Sequence, residues 1–136
     1  MGNLQVIQSK IYEIRGQKVM LDFDLAEMYG TETKRLKEAV RRNMDRFEGD
    51  DFMFELTKEE ITELSRTQFA TLKKGRGVNI KYPPFAFTEL GVAMLSSVLN
   101  SKTAIEINRG IIRAFVAVRK MVLTPPTDRI SLLQQE

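Results

Sequence analysis

The chain of 136 residues contains no histidine, no cysteine and no tryptophan, and only four prolines. Each absence removes a class of chemistry. Without cysteine there is neither a disulfide framework nor a thiolate metal site. Without histidine or cysteine there is no Ser-His triad, no thiolate nucleophile and no imidazole base. We therefore expect no enzyme and no cofactor. Long hydrophobic runs are missing too. The longest uncharged stretch, residues 90–101, has 12 residues, short of the ~18 that a membrane helix needs. Residues 1–12 hold no apolar segment of signal-peptide length, so a cytoplasmic protein is expected. What is present is an ordinary globular composition, 43% hydrophobic and 29% charged. At roughly 150 residues per domain, the chain reads as one domain over residues 1–123, with residues 124–136 as a tail or linker.

Hydrophobic spacing and punctuation residues divide that domain. Ile11, Ile14, Val19 and Leu21 flank Gly16-Gln17 as a short hairpin. Asp22 then reads as the cap of a helix carrying Leu25, Ala26, Met28 and Tyr29, stopped by Gly30 in a left-handed conformation. Thr31 or Thr33 caps a second helix over residues 33–44, with Leu36, Val40 and Met44 on one face. Residues 51–56 alternate as a strand, and Thr57 with Glu60 forms a capping box opening a helix to about residue 70. Gly75 and Gly77 mark a loop or hairpin tip. Pro83 and Pro84 demote residues 82–87 to an edge strand. Thr88 and Ser101 cap two further helices, the second running to about residue 122, before Pro125-Pro126. This predicts an α+β fold: a compact single domain with a helix-turn-helix-like pair, a small antiparallel sheet and a long C-terminal helix.

The formal net charge of +3 hides a segregation. Six basic residues (Lys34, Arg35, Lys37, Arg41, Arg42, Arg46) face two acids within residues 34–46. Seven acids face one lysine within residues 48–63. Residues 73–81 then carry Lys73, Lys74, Arg76 and Lys81 with no acid. Patches of one sign produce a local field that net charge conceals.

The first basic segment coincides with a helix, glycine turn, helix pattern. Such a pair needs a small residue where the helices cross, a turn tolerant of positive φ, and an apolar anchor facing back. Ala26, Gly30 and Leu36 meet these needs in that order. The second helix would then present Thr33, Lys34, Lys37 and Arg41 outward with Arg35 and Arg42 on its flanks, the chemistry of a helix in a DNA major groove. Arg46 extends it. Lys73, Lys74, Arg76 and Lys81 fit a wing touching the flanking backbone. Lys102, Arg109, Arg113 and Lys120 form a basic stripe on the last helix, read as its solvated face. Tyr82, Phe85 and Phe87 have the chemistry to stack bases, but beside two prolines and an apolar helix they read as core.

Double-stranded DNA is thus the expected partner, with no membrane and with self-association left open. The alternative is a protein-interaction module whose acidic residues 48–63 or aromatic segment dock onto a repressor. A remote third reading is a Mg²⁺-dependent nuclease built from Asp22 or Asp24 with Glu32-Thr-Lys34. That chemistry needs the Glu-x-Lys pair on a strand, whereas here it straddles a turn and a helix start.

A further pattern is carried by whole blocks of residues. Residues 19–36 (VMLDFDLAEMYGTETKRL), 42–47 (RNMDRF), 51–56 (DFMFEL), 65–70 (SRTQFA), 82–89 (YPPFAFTE) and 91–100 (GVAMLSSVLN) occur in one order. Over residues 8–122 the chain resembles the ORF-six N-terminal domain family, related to the KilA-N and Bro-N domains. The resemblance implies a DNA-binding domain of phage and prophage regulators, antirepressor types included. It brings no residue-level DNA contacts. The Lys73-Lys-Gly-Arg-Gly77 stretch departs from the family's pattern, so its reading as a wing comes from the residues alone.

Overall fold

A computed structural model describes residues 4–67 and 82–123. It opens with a short helix, α1 (Leu4–Gln8), followed by strands β1 (Tyr12–Ile14) and β2 (Gln17–Leu21). The strands pair antiparallel, Tyr12 opposite Val19 and Ile14 opposite Gln17. Arg15 and Gly16 form the two-residue turn with φ of 56° and 72°, the doubly positive combination that matches strand twist in tight hairpins. Then come α2 (Asp22–Tyr29), α3 (Thr33–Arg42) and a single 3₁₀ turn, Met44–Arg46. The chain continues through β3 (Met53–Glu55), α4 (Lys58–Thr67), β4 (Phe85–Phe87), α5 (Glu89–Leu99) and α6 (Lys102–Leu123). The α+β class, the antiparallel sheet and the long C-terminal helix are as expected.

The sheet order is β1-β2-β4-β3, antiparallel throughout, with Phe87 opposite both Met20 and Met53. β4 is therefore interior, not the edge strand expected from its prolines. The physical reason is position: Pro83 and Pro84 precede the strand, so no ladder donor is lost. Side chains alternate between two cores, as the period of two requires. Met20, Met53, Phe85 and Phe87 join Leu25, Leu36, Val40, Val92, Leu95, Ile111 and Phe115 from the helices and Phe47 from just after the 3₁₀ turn. Val19, Leu21, Phe54 and Ala86 face the other way, onto Leu64 of α4. Both faces are covered from Val19 to Leu21 and along β4, which is why Val19-Met20-Leu21 and Phe85-Ala86-Phe87 read as unbroken apolar runs.

Helix ends follow local chemistry in most places. Thr57 N–H donates to Glu60 Oε1 at 2.8 Å, and Glu60 N–H to Thr57 Oγ1 at 3.1 Å, the reciprocal capping box. Thr88 Oγ1 accepts from Gly91 N–H, and Ser101 Oγ from Ala104 N–H. Two expected caps are not caps. The N-cap of α2 is Leu21 and that of α3 is Glu32, neither with a side-chain bond. Asp22 is the first helical residue and Thr33 the first of α3, and the Asp22 carboxylate is used elsewhere. α3 ends at Arg42, where Asn43 Nδ2 donates to Ala39 O, so Met44 lies beyond the helix. No helix among the described residues is long and apolar enough to cross a membrane. The expected wing residues, the end of α4 at residue 70 and the tail 124–136 lie outside the described residues.

Arg15, at the hairpin tip, ties the two ends of the sheet together. Its guanidinium donates to both Glu60 carboxylate oxygens, to Asp50 Oδ2 and to Glu55 O, and it lies 4.1 Å from the Phe54 ring centroid. The Arg15 hydrogen bonds hold the Glu60 carboxyl below the ordinary glutamate range. A depressed carboxylate stabilises the fold above its unfolded pKa and ceases to as pH falls through its folded value. Because both partners remain partly open to solvent, with side-chain exposures of 32% for Arg15 and 21% for Glu60, screening keeps the effect small. Arg15→Ala is expected to cost about 1 kcal/mol at neutral pH. That difference in urea midpoint should narrow below about pH 4 as Glu60 protonates.

Candidate nucleic-acid interface

The α2–α3 corner is set by one glycine. Gly30 has φ 75°, its N–H donates to Glu27 O at 3.1 Å, and Thr31 N–H reaches Ala26 O at 2.9 Å. This is a Schellman closure, which needs a left-handed residue that glycine adopts without strain. Ala26 and Leu36, the small residue and the apolar anchor, are both 1% exposed. The helix pair expected from the sequence is thus formed.

At 100° per residue, α3 buries one face and offers another. Leu36, Lys37 and Val40 are buried, whereas Lys34, Arg35, Arg41 and Arg42 are exposed. Thr33 and Glu38 are half-buried. Arg46, also exposed, donates to Ser97 Oγ on α5 at 2.9 Å. Arg35 lies 3.5 Å from Glu32, with both side chains about three-quarters exposed. The Arg41 guanidinium lies 5.5 Å from the Phe85 ring centroid. The outer face of α3 therefore carries four cations against one half-buried acid.

Lys37 corrects the sequence reading. It does not point outward: it is 7% exposed, with Nζ 2.9 Å from Pro83 O, 3.3 Å from Asp22 Oδ2 and 5.0 Å from the Phe85 centroid. Asp22 is 1% exposed, and its Oδ2 also accepts from Phe85 N–H at 2.9 Å. Burial raises the Asp22 carboxyl above its ordinary value; the Phe85 N–H and then Lys37 oppose that shift. A buried ammonium needs such partners. Lys37 thus joins α3 to the start of α2 and to the approach to β4, instead of facing a ligand.

The aromatic segment also divides. Phe85 and Phe87 are core as expected, but Tyr82 is 68% exposed, with Lys37 Nζ 6.0 Å from its centroid. Behind the interface, Asn108 is 4% exposed; it donates to Val92 O and accepts from Tyr29 Oη, tying α2, α5 and α6 together. Burial accordingly pushes the Tyr29 phenol far above its usual range. Lys102, Arg109, Arg113 and Lys120 are exposed along α6.

The residues considered for a nuclease do not share an environment. Glu32 is exposed beside Arg35, whereas the Asp22 carboxylate is sealed against Lys37 and β4. No group of three metal-ligating carboxylates converges among the described residues.

Comparison with curated proteins and with solved structures gave no match. The ORF6N domain, in contrast, matches residues 9–98, from just before the hairpin through most of α5. That span covers about two-thirds of the chain and contains the whole α2–Gly30–α3 corner, so the chain belongs to the ORF6N domain family.

Proposed function

We propose that this chain is a regulatory DNA-binding domain of the phage and prophage kind, acting by binding and not by catalysis. α3 lies in a major groove, where Lys34, Arg35, Arg41 and Arg42 meet phosphates or guanine edges. The observation that carries the reading is the exposed face of α3: four cations and one half-buried acid, on a helix fixed by a buried corner. Membership of the ORF6N family supports the regulatory part of it. Phosphate contacts release counterions, so log affinity should fall with log salt by ~0.9 per neutralised phosphate. A mixed-sequence duplex titrated with the full chain at rising salt tests this. Replacing Lys34, Arg41 and Arg42 by alanine should each lower the slope by ~0.9, while thermal stability stays within about 0.5 kcal/mol, as for ordinary surface changes. An unchanged slope in all three variants overturns the placement of α3.

A second reading is favoured by one feature, a cleft of about 750 Å³ between the 3₁₀ turn and β3. Its lining includes Phe47, Met53, Phe54 and Phe85, with four acids (Asp45, Glu48, Asp50 and Glu55) against two cations, Arg15 and Arg41. A basic-apolar segment of a repressor protein would complement it. Recovery of such a partner without any low-salt DNA shift would select this reading instead.

A further inference from the structure

A tyrosine next to two prolines and an apolar strand would ordinarily be buried, as Phe85 and Phe87 are. Tyr82 instead is the most exposed of the large apolar side chains described, at 68%. The backbone that follows it is nevertheless fixed. Pro83 O accepts from Lys37 Nζ at 2.9 Å, Pro84 O accepts from Leu56 N–H at 3.0 Å, and Pro84 itself is buried. Two successive prolines with pinned carbonyls leave little backbone freedom to lose on binding. The ring is therefore presented, not merely left over.

Its place on the molecule is equally specific. Lys37, itself buried against Asp22, lies 6.0 Å from the Tyr82 centroid and stands one helical turn from the exposed Lys34 and Arg41 on α3. Lys37 and Arg41 both reach over Phe85, at 5.0 and 5.5 Å, three residues along from Tyr82. A held, open aromatic ring bordering a basic flank is the combination by which proteins take unstacked bases, since every base has a π-face.

We propose that Tyr82 is a base-stacking residue at the border of the α3 face, resting on the DNA-binding reading of that face. A base inside a paired duplex must first be unstacked, which costs free energy; an unpaired base largely escapes that cost. The chain should accordingly favour duplexes containing an unpaired base.

The test uses the full chain with two probes, a mixed-sequence duplex and the same duplex with one bulged adenine. Wild type should bind the bulged probe about tenfold more tightly, the scale of one stacked base. Tyr82→Ala should abolish that preference while leaving the salt slope on the paired probe unchanged; Tyr82→Phe should keep it. Equal wild-type affinity for both probes, or a preference that survives Tyr82→Ala, overturns the assignment while leaving salt-dependent duplex binding intact. Wild type that binds neither probe at low salt overturns the DNA reading and this inference together. The ring is exposed, so both variants should melt with wild type, and a large drop in melting temperature would show a structural role instead.

Discussion

Gly91→Ala should destabilise the domain by about 3 kcal/mol or more, lowering its melting temperature by more than about 10 °C. Intrinsic propensity predicts the opposite sign. Gly91 lies within α5, and alanine in a helix interior is about 1 kcal/mol better than glycine. Contact geometry decides. A Cβ at Gly91 would stand 2.0 Å from Phe52 O and 3.0 Å from Phe52 C. That carbonyl cannot retreat easily, because it accepts from Thr88 N–H and from Thr88 Oγ1, both at 3.1 Å. Moving it breaks the cap of α5; moving α5 breaks its packing on the sheet through Val92 and Leu95. Gly110 on α6 is the control. There a Cβ meets only Ile7 Cδ1, at 3.7 Å, so Gly110→Ala should stabilise by about 0.5–1 kcal/mol. Thermal melts of the two variants beside wild type check both signs. A neutral Gly91→Ala would mean that α5 does not abut Phe52 as described.

These glycines show what a sequence discloses and what it withholds. The hairpin (read one residue late, at Gly16-Gln17, where the turn is Arg15-Gly16), the stop at Gly30, the Thr57–Glu60 box and the caps at Thr88 and Ser101 were legible because each depends on residues within about four positions. The α2–α3 corner was legible because Ala26, Gly30 and Leu36 lie within ten positions of one another. Strand order was not: β4 lies between β2 and β3 through pairings across 30 or more residues, and Pro83-Pro84 argued for an edge by a rule that applies only inside the ladder. α1 is five residues long, too short for periodicity to register, and it is held by Ile7 packing over α6 near Gly110. Lys37 is instructive because a signal existed. On the helical wheel it stands nearer to Leu36 and Val40 than Lys34 or Arg41 does, yet its charge outweighed its position. Its partners, Asp22 and Pro83, are 15 and 46 residues away, and no local pattern pairs them. Tyr82 is the converse, an aromatic assigned to the core by its neighbours and left exposed by the fold.

Lys37→Met should cost about 3–5 kcal/mol near neutral pH, the scale of breaking a buried ion pair from one side. The methionine fills much of the same volume, so the loss lies mainly in the Asp22 carboxylate, left 1% exposed with the Phe85 N–H but no cation. The cost should depend on pH in a definite direction. Burial holds the Asp22 carboxyl above its ordinary value even with Lys37 present. A group raised on folding favours the fold fully below its unfolded pKa, and that advantage is lost as pH rises through the folded value. Removing the ammonium raises the folded value further. The deficit of Lys37→Met should therefore be smallest near about pH 4 and grow toward about pH 7. Asp22→Asn in the Lys37→Met background removes the buried charge while keeping an acceptor for Phe85 N–H. It should recover most of the loss, the non-additivity expected of one buried pair. Urea unfolding of the two single variants and the double variant at both pH values measures the coupling. The same proteins separate the two roles assigned to Lys37. A phosphate contact would lose ~0.9 of salt slope with stability intact. A buried strut loses stability and leaves the slope alone, because the cations that face outward on α3 are Lys34, Arg35, Arg41 and Arg42.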